Sequence, residues 1–296
     1  MTEMHLTNVL TLLGSPLDEW QVAAVAEALD RDPDETDWLG EGEAADIHFE
    51  EAEPVEALEI ARHLLGEEPV DMAAQIAAIR RKRLLLADME STVIEEEMVD
   101  LLAEEIGIGE AVAEITARSM AGELDFEASL RQRMALLEGV PADLLEDLAE
   151  VMTLSPGARV LVQTMRQNGA FTLLATGGFR LFAERVRDAV GFHDLRCNDL
   201  EIANGRLTGG LKGPIFDRAG KLTALREACE ELHIQPSEAA AVGDGSNDLD
   251  MIQAAGLGVA FRGKPILREE ADACLDHFDL RGLLYFQGYR REEFRD

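Results

Sequence analysis

Apolar positions along this chain follow one rhythm up to about residue 83 and another beyond it. In the first part they come in short segments. HLTNVLTLLG (5–14) reads as a strand and SPLDEWQVAAVAEAL (15–29) as a helix, with Ser15 able to cap it, Pro16 suited to its first turn and Asp18 able to complete a capping box. The acidic, glycine-containing stretch 30–45 reads as loop, and AADIHFE (44–50) as a second strand. EPVEALEIARHLLG (53–66) places Val55, Leu58, Ile60, Ala61, Leu64 and Leu65 at helical spacing. This order predicts a small N-terminal βαβα unit. Residues 67–82 read as a link, partly helical, that ends in the cluster Arg80, Arg81, Lys82, Arg83, a solvated boundary.

From residue 83 the apolar runs become continuous, as in parallel strands covered on both faces. RLLLAD (83–88), FTLLAT (171–176) and AAAVGD (239–244) share one form: an apolar strand that ends at a polar residue. GLGVAF (256–261) reads as a fourth strand, and helical stretches such as 158–169 and 220–234 lie between the strands. Strand–helix alternation predicts an α/β fold with a doubly wound parallel sheet. Residues 95–155 interrupt it with four amphipathic segments separated by Gly- or Pro-containing breaks, a four-helix cap well placed to act as a lid. A second insert at 197–213 carries the Asn-Gly signal of a hairpin. The expected division is a small N-terminal α+β domain over 1–78 and the α/β domain with its inserted cap over 79–296.

Charge and cysteine content narrow the partners. The 296 residues carry 59 acids against 27 bases, a formal net charge of −32, which speaks against nucleic acid and anionic membrane because both call for clustered Lys and Arg. No apolar run approaches the roughly 20 residues of a membrane span, and the N-terminus lacks the basic start of a signal peptide. Three scattered cysteines suggest reduced thiols and a cytoplasmic location. The oligomeric state is not given by the sequence; a homodimer is compatible with it. The six histidines adjoin none of the motifs below.

Ligands of doubly wound sheets gather at the carboxyl ends of the strands, where this chain puts Asp88, Thr176 and Asp244. DMEST (88–92) adds Glu90, and GDGSND (243–248) adds Asp248 with two glycines that allow a tight turn. Carboxylates around one point with room for water suit Mg²⁺. Thr176, Gly177 and Gly178 supply a hydroxyl and backbone N–H groups near a helix start, which suits phosphate. Lys221, at the start of the following helix, supplies a positive charge. Acids for a metal, amides and a lysine for phosphate, and a spare carboxylate together point to phosphoryl transfer.

DMEST, ATGGF, Lys221 and GDGSND resemble the four motifs of the haloacid dehalogenase superfamily. EEEMVDLLAEEIG, GELDFEASLRQRMALLEG and the tail DLRGLLYFQGYRREEF resemble its phosphoserine phosphatase family, over about residues 83–294. The N-terminal part resembles the regulatory-type domain of the bacterial members. The resemblance implies Mg²⁺-dependent hydrolysis of phosphoserine, with Asp88 as nucleophile and Glu90 as general acid and base. It implies Mg²⁺ held by the Asp88 and Asp244 carboxylates and the Glu90 carbonyl, with Asp248 orienting a metal-bound water. Thr176, Gly177, Gly178, Lys221 and Asn247 would grip the phosphoryl oxygens. In the cap, Glu97 would pair with the substrate ammonium, Arg133 with its carboxylate, and Met120 and Phe126 would close around it. Without that pattern Glu97 and Arg133 read as ordinary helix-surface charge, and Met120 and Phe126 read equally as bundle core.

Two positions depart from the family pattern: Thr176 stands where serine is more usual and keeps the same hydroxyl, and Glu90 stands where the pattern has aspartate. The backbone carbonyl is indifferent to the change and the acid–base chemistry survives in kind, but one added methylene shifts the carboxylate by on the order of 1.5 Å. Two other readings therefore stay open: a phosphatase or phosphotransferase for another small phosphomonoester, and a non-catalytic phosphoserine-binding sensor.

Overall fold

Two sheets of different character carry the chain. The computed structural model describes residues 7–120 and 123–296, with Met120 described by its backbone alone. The first sheet joins β1 (Asn8–Leu13), β2 (Asp37–Gly40), β3 (Ala44–Phe49) and β4 (Asp71–Ile76), antiparallel throughout, in the order β2-β3-β1-β4. Helices α1 (Glu19–Ala28) and α2 (Pro54–Leu65) cover one face, where Leu10, Leu12, Ile47 and Phe49 meet Val22, Val25, Ala57 and Ala61. Leu13, Leu39 and Ala73 face the other way, into the core of the larger part.

The structure corrects four expectations here. The stretch 30–45 holds a strand, β2, at the sheet edge, where its acidic neighbours stay in water. The stretch 67–82 holds β4 and a single 3₁₀ turn, Ala77–Ile79, because β1 offers its free edge in full register from Asn8↔Ile76 to Leu13↔Asp71. The unit is therefore βαββαβ rather than βαβα. Helix α1 starts at Glu19 instead of Ser15: the Leu17 N–H bonds back to Gly42 O, committing the preceding residues to a turn, and the Gln21 side chain accepts the Asp18 N–H at 2.9 Å. The basic cluster is solvated only in part: Arg81 and Arg83 are exposed, while Arg80 and Lys82 turn inward. Arg80 meets buried Asp46 at 2.6 Å, Arg81 meets Glu293, Arg83 meets Glu238, and buried Lys82 donates to Ile79 O and Ser237 O.

The larger part begins with β5 (Leu84–Ala87). Among the described residues the cap then follows as α3 (Met98–Glu105), α4 (Gly109–Met120), α5 (Phe126–Ala135) and α6 (Asp143–Glu150). Its two linkers pair with each other, Glu95 N–H to Thr153 O and Ser155 N–H to Val93 O. The chain returns through α7 (Ala158–Gln167), β6 (Phe171–Phe179), α8 (Arg180–Val190), the hairpin β7 (Asp194–Ala203) and β8 (Arg206–Lys212), and α9 (Arg218–Leu232). It closes with β9 (Ala239–Gly243), α10 (Leu249–Ala254), β10 (Leu257–Phe261), α11 (Pro265–Arg268), β11 (Ala273–Leu275) and α12 (Gly282–Phe286). The sheet order is β11-β10-β9-β5-β6-β7-β8, parallel except for β8.

This is a doubly wound α/β sheet, and its strands bury residues on both faces. Leu85, Ala87 and Val242 pack toward α7, α8 and α12, while Leu84, Leu86 and Ala241 pack toward α9 and α10. Central β5 lies between β9 and β6, so the chain order reverses beside it and leaves a crevice at its carboxyl end. No helix of the described residues is long and apolar enough to cross a membrane.

Candidate active site

Asp88 follows β5 into that crevice, anchored by its N–H to Val242 O on β9 at 3.0 Å. Its Oδ1 accepts the Met89 N–H at 2.7 Å and meets the Lys221 ammonium at 2.7 Å. Lys221 stands in the first turn of α9, whose start Asp217 fixes by accepting the Gly220 N–H. The same ammonium lies 2.6 Å from Asp248 Oδ1, and Asp248 Oδ2 accepts the N–H groups of Asp244 and Gly245. Gly243 makes room: a Cβ there would lie 2.4 Å from the Asp248 carboxyl carbon.

The expected acids thus meet. One carboxylate oxygen each from Asp88, Asp244 and Asp248 lies within 4.8 Å of the others, all three residues buried. One buried lysine does not balance three carboxylates. Burial first, and Asp248 second, push the Asp88 carboxyl well above its ordinary range. Burial also raises Asp244, although Lys264 pulls against it. Burial opposes the Lys221 ammonium, yet Asp248 and Asp88 outweigh it and keep the proton on. Hard oxygen donors crowded with uncompensated negative charge fit a divalent cation.

Beside the acids lies a cavity of about 160 Å³. Asp88, Glu90, Gly177, Gly178, Asp244 and Asn247 line it from the sheet, and Glu97, Phe126 and Arg133 from the cap. Thr176, Lys221 and Asp248 sit just outside the lining, bonded to residues that form it; the buried Thr176 hydroxyl accepts the Gly178 N–H at 2.9 Å. The Met120 side chain lies outside the described residues. Glu97 accepts the Ser91 hydroxyl at 2.8 Å. The Arg133 Nε is buried and has no hydrogen-bond partner among the described residues. Burial, with Glu97 adding to it, lifts the Glu90 carboxyl to about 7.

Three polar residues of the site escape the sequence reading, as do the apolar Val99 and Leu130 of the cavity lining. Lys264, on the loop after β10, lines the cavity and meets Asp244 Oδ2 at 3.2 Å. It stands three residues past the end of its apolar strand, and the strand-end rule that singles out Asp88 and Asp244 stops at Arg262. Buried Asn198 donates to Gly177 O and Phe216 O and accepts the Phe216 N–H, tying the carboxyl end of β6 to the approach to α9. Ser91, with a left-handed backbone (φ 55°), holds Glu97. Neither of these two carries a sequence signal.

Residues 85–253 match the haloacid dehalogenase-like hydrolase family. A phosphoserine phosphatase of Streptomyces coelicolor is 38% identical over 302 residues, spanning 97% of this chain and 72% of that protein. A haloacid dehalogenase family hydrolase of Salmonella enterica superposes with a TM-score of 0.86 at 27% identity, over 95% of this chain and 98% of its own. A probable phosphoserine phosphatase of Vibrio cholerae superposes with a TM-score of 0.78 at 29% identity, over 99% and 90%. The family match alone spans more than half of the sequence and falls on the strand ends that build the crevice. The chain belongs to the haloacid dehalogenase-like hydrolases.

Proposed function

We propose that this chain is a phosphoserine phosphatase that hydrolyses O-phospho-L-serine to L-serine and phosphate, the last step of serine biosynthesis, in the cytoplasm. The observation that carries the reading is Arg133: a guanidinium whose buried Nε has no partner among the described residues lines the same small cavity as Asp88. A planar donor fork without an acceptor suits a substrate carboxylate. Glu97, also in the lining, suits an ammonium. The cavity therefore has a phosphoryl end on the sheet and an amino-acid end on the cap. The phosphoserine phosphatases among the relatives support the same substrate. The proposed division of labour is an N-terminal unit over 1–78 and a catalytic unit over 79–296, with the cap inserted at about 95–155.

In the proposed chemistry Asp88 attacks phosphorus. Its Oδ1 is engaged by Met89 and Lys221, leaving Oδ2 without a hydrogen bond among the described residues. Glu90 gives a proton to the departing serine oxygen and then takes one from the water that opens the aspartyl-phosphate. A carboxyl lifted to about 7 carries a proton near neutrality and gives it up readily. Lys221, Asn247, the Thr176 hydroxyl and the Gly177 backbone neutralise charge on the phosphoryl oxygens, with the Gly178 N–H holding the Thr176 hydroxyl in place. Mg²⁺, held by the Asp88 and Asp244 carboxylates and the Glu90 carbonyl with Asp248 behind them, would supply further positive charge at those oxygens.

Phosphate release from L-phosphoserine and from a small aryl phosphate tests this, with and without Mg²⁺. The wild type should favour phosphoserine. Arg133→Ala should lower kcat/KM for phosphoserine about 100-fold while leaving the aryl ester within about threefold. Equal losses on both esters would remove the carboxylate clamp, and full activity after exhaustive chelation would remove the metal.

A further inference from the structure

Helix α3 begins at Met98, and its N-cap residue, Glu97, makes no side-chain capping bond. The Glu97 carboxylate instead takes the Ser91 hydroxyl and lines the cavity. An uncapped helix start leaves backbone N–H groups without partners. Here one is taken from eight residues away: the Met98 N–H donates to Glu90 Oε1 at 2.9 Å. The other Glu90 oxygen lies against Gly178, where a Cβ would come within 2.8 Å of Oε2. The carboxylate is thus held between the first cap helix and the carboxyl end of β6, and the first cap linker, whose Val93 and Glu95 pair with Ser155 and Thr153 of the second, lies between acceptor and donor along the chain. An aspartate at position 90 would fall short of Met98 by on the order of 1.5 Å, too far for a hydrogen bond.

We infer that the cap positions the acid–base residue: the Met98 N–H fixes where the Glu90 carboxylate stands, and the glutamate is needed because only its length spans the hinge. Met98 acts as a positioning residue through its backbone, so a displacement of the cap displaces the proton-transfer group with it. This inference rests on the phosphatase reading for Glu90's chemistry, but not on the identity of the alcohol released.

The test isolates one N–H. Met98→Pro deletes it at the first helical position, where proline is tolerated, and the extended Glu97 backbone (φ −98°, ψ 102°) suits a residue before proline. Met98→Ala keeps the N–H while also losing the buried Met98 side chain, so the pair differs in the donor. The exchange from M98A to M98P should lower kcat on phosphoserine about 10-fold with KM within about twofold. In an E90D background the same exchange should change kcat by less than about twofold. Equal kcat for M98A and M98P, or the same ratio in both backgrounds, overturns the inference. Amide exchange at Met98 decides it without proline or turnover: faster exchange in E90D than in wild type supports it, and equal protection overturns it. A wild type inactive on phosphoserine but active on other monoesters would sink the substrate reading and leave the amide measurement standing.

Discussion

Buried carboxylates occur in this chain in two settings. Between the two sheets each acid has its own donors. Asp46, fully buried, accepts the Thr11 hydroxyl and the Arg80 guanidinium, both at 2.6 Å. Asp71 accepts the backbone N–H groups of Asp276, His277 and Phe278 at 2.8–3.0 Å, stapling β4 to the segment after β11. At the strand ends, by contrast, Asp88, Asp244 and Asp248 crowd around one lysine. The first setting stabilises the fold. The second spends stability on an excess of negative charge that a cation can relieve, the trade-off expected where function is built. Burial alone does not separate the two, and neither does a count of donors, two on Asp88 and three on Asp248; what separates them is that three carboxylates within 4.8 Å of one another share a single buried lysine.

The comparison is broken most sharply at Asp88. Asp88→Asn should abolish turnover, by on the order of 10⁴-fold or more, and with it the covalent phospho-enzyme. In metal-free protein it should raise the melting temperature by about 2 °C, because one of three crowded negative charges is gone while Lys221 keeps Asp248. Calorimetry in chelator beside a phosphate-release assay checks both. Asp71→Ala should do the reverse. It strips the acceptor from three N–H groups, costs about 2 kcal/mol and lowers the melting temperature by several degrees, with kcat within about twofold. If both variants moved stability in the same direction, the distinction between the settings would fall.

The two settings also differ in how legible they are. The strand ends announce themselves: continuous apolar runs stop at Asp88, Thr176 and Asp244, and the parallel sheet brings those stops together whatever the helices between do. The interface between the sheets depends on partners distant in sequence. Arg80 finds Asp46 across 34 residues and Asp71 finds Phe278 across 207, so a local reading leaves the basic cluster solvated. Strands β2 and β4 were hidden for a related reason. DWLG and DMAAQI have little intrinsic strand character, and they are strands because β3 and β1 present unpaired edges to them. Glu90 was legible as a departure from the family pattern, but what its length reaches was not, because Met98 belongs to a helix whose own cap residue is turned to another task.

Asp244 stands between the settings and sharpens the comparison with the smallest effect. It belongs to the crowded acids, yet it has a donor of its own: Lys264, whose ammonium meets its Oδ2 and whose N–H meets its carbonyl at 2.8 Å. Two effects of that ammonium on a metal oppose each other. It repels a nearby cation, and it orients the carboxylate that would bind it. The Lys264 side chain is 56% exposed, so water and salt screen the repulsion. Among the described residues no other group bonds the Asp244 carboxylate, so its orientation falls to Lys264 alone. Orientation should win. Lys264→Met should raise the Mg²⁺ concentration needed for half-maximal activity about 10-fold, with kcat at saturating metal close to wild type. A fall in that concentration would mean that repulsion dominates, and would return Asp244 to the crowded acids without a donor that matters.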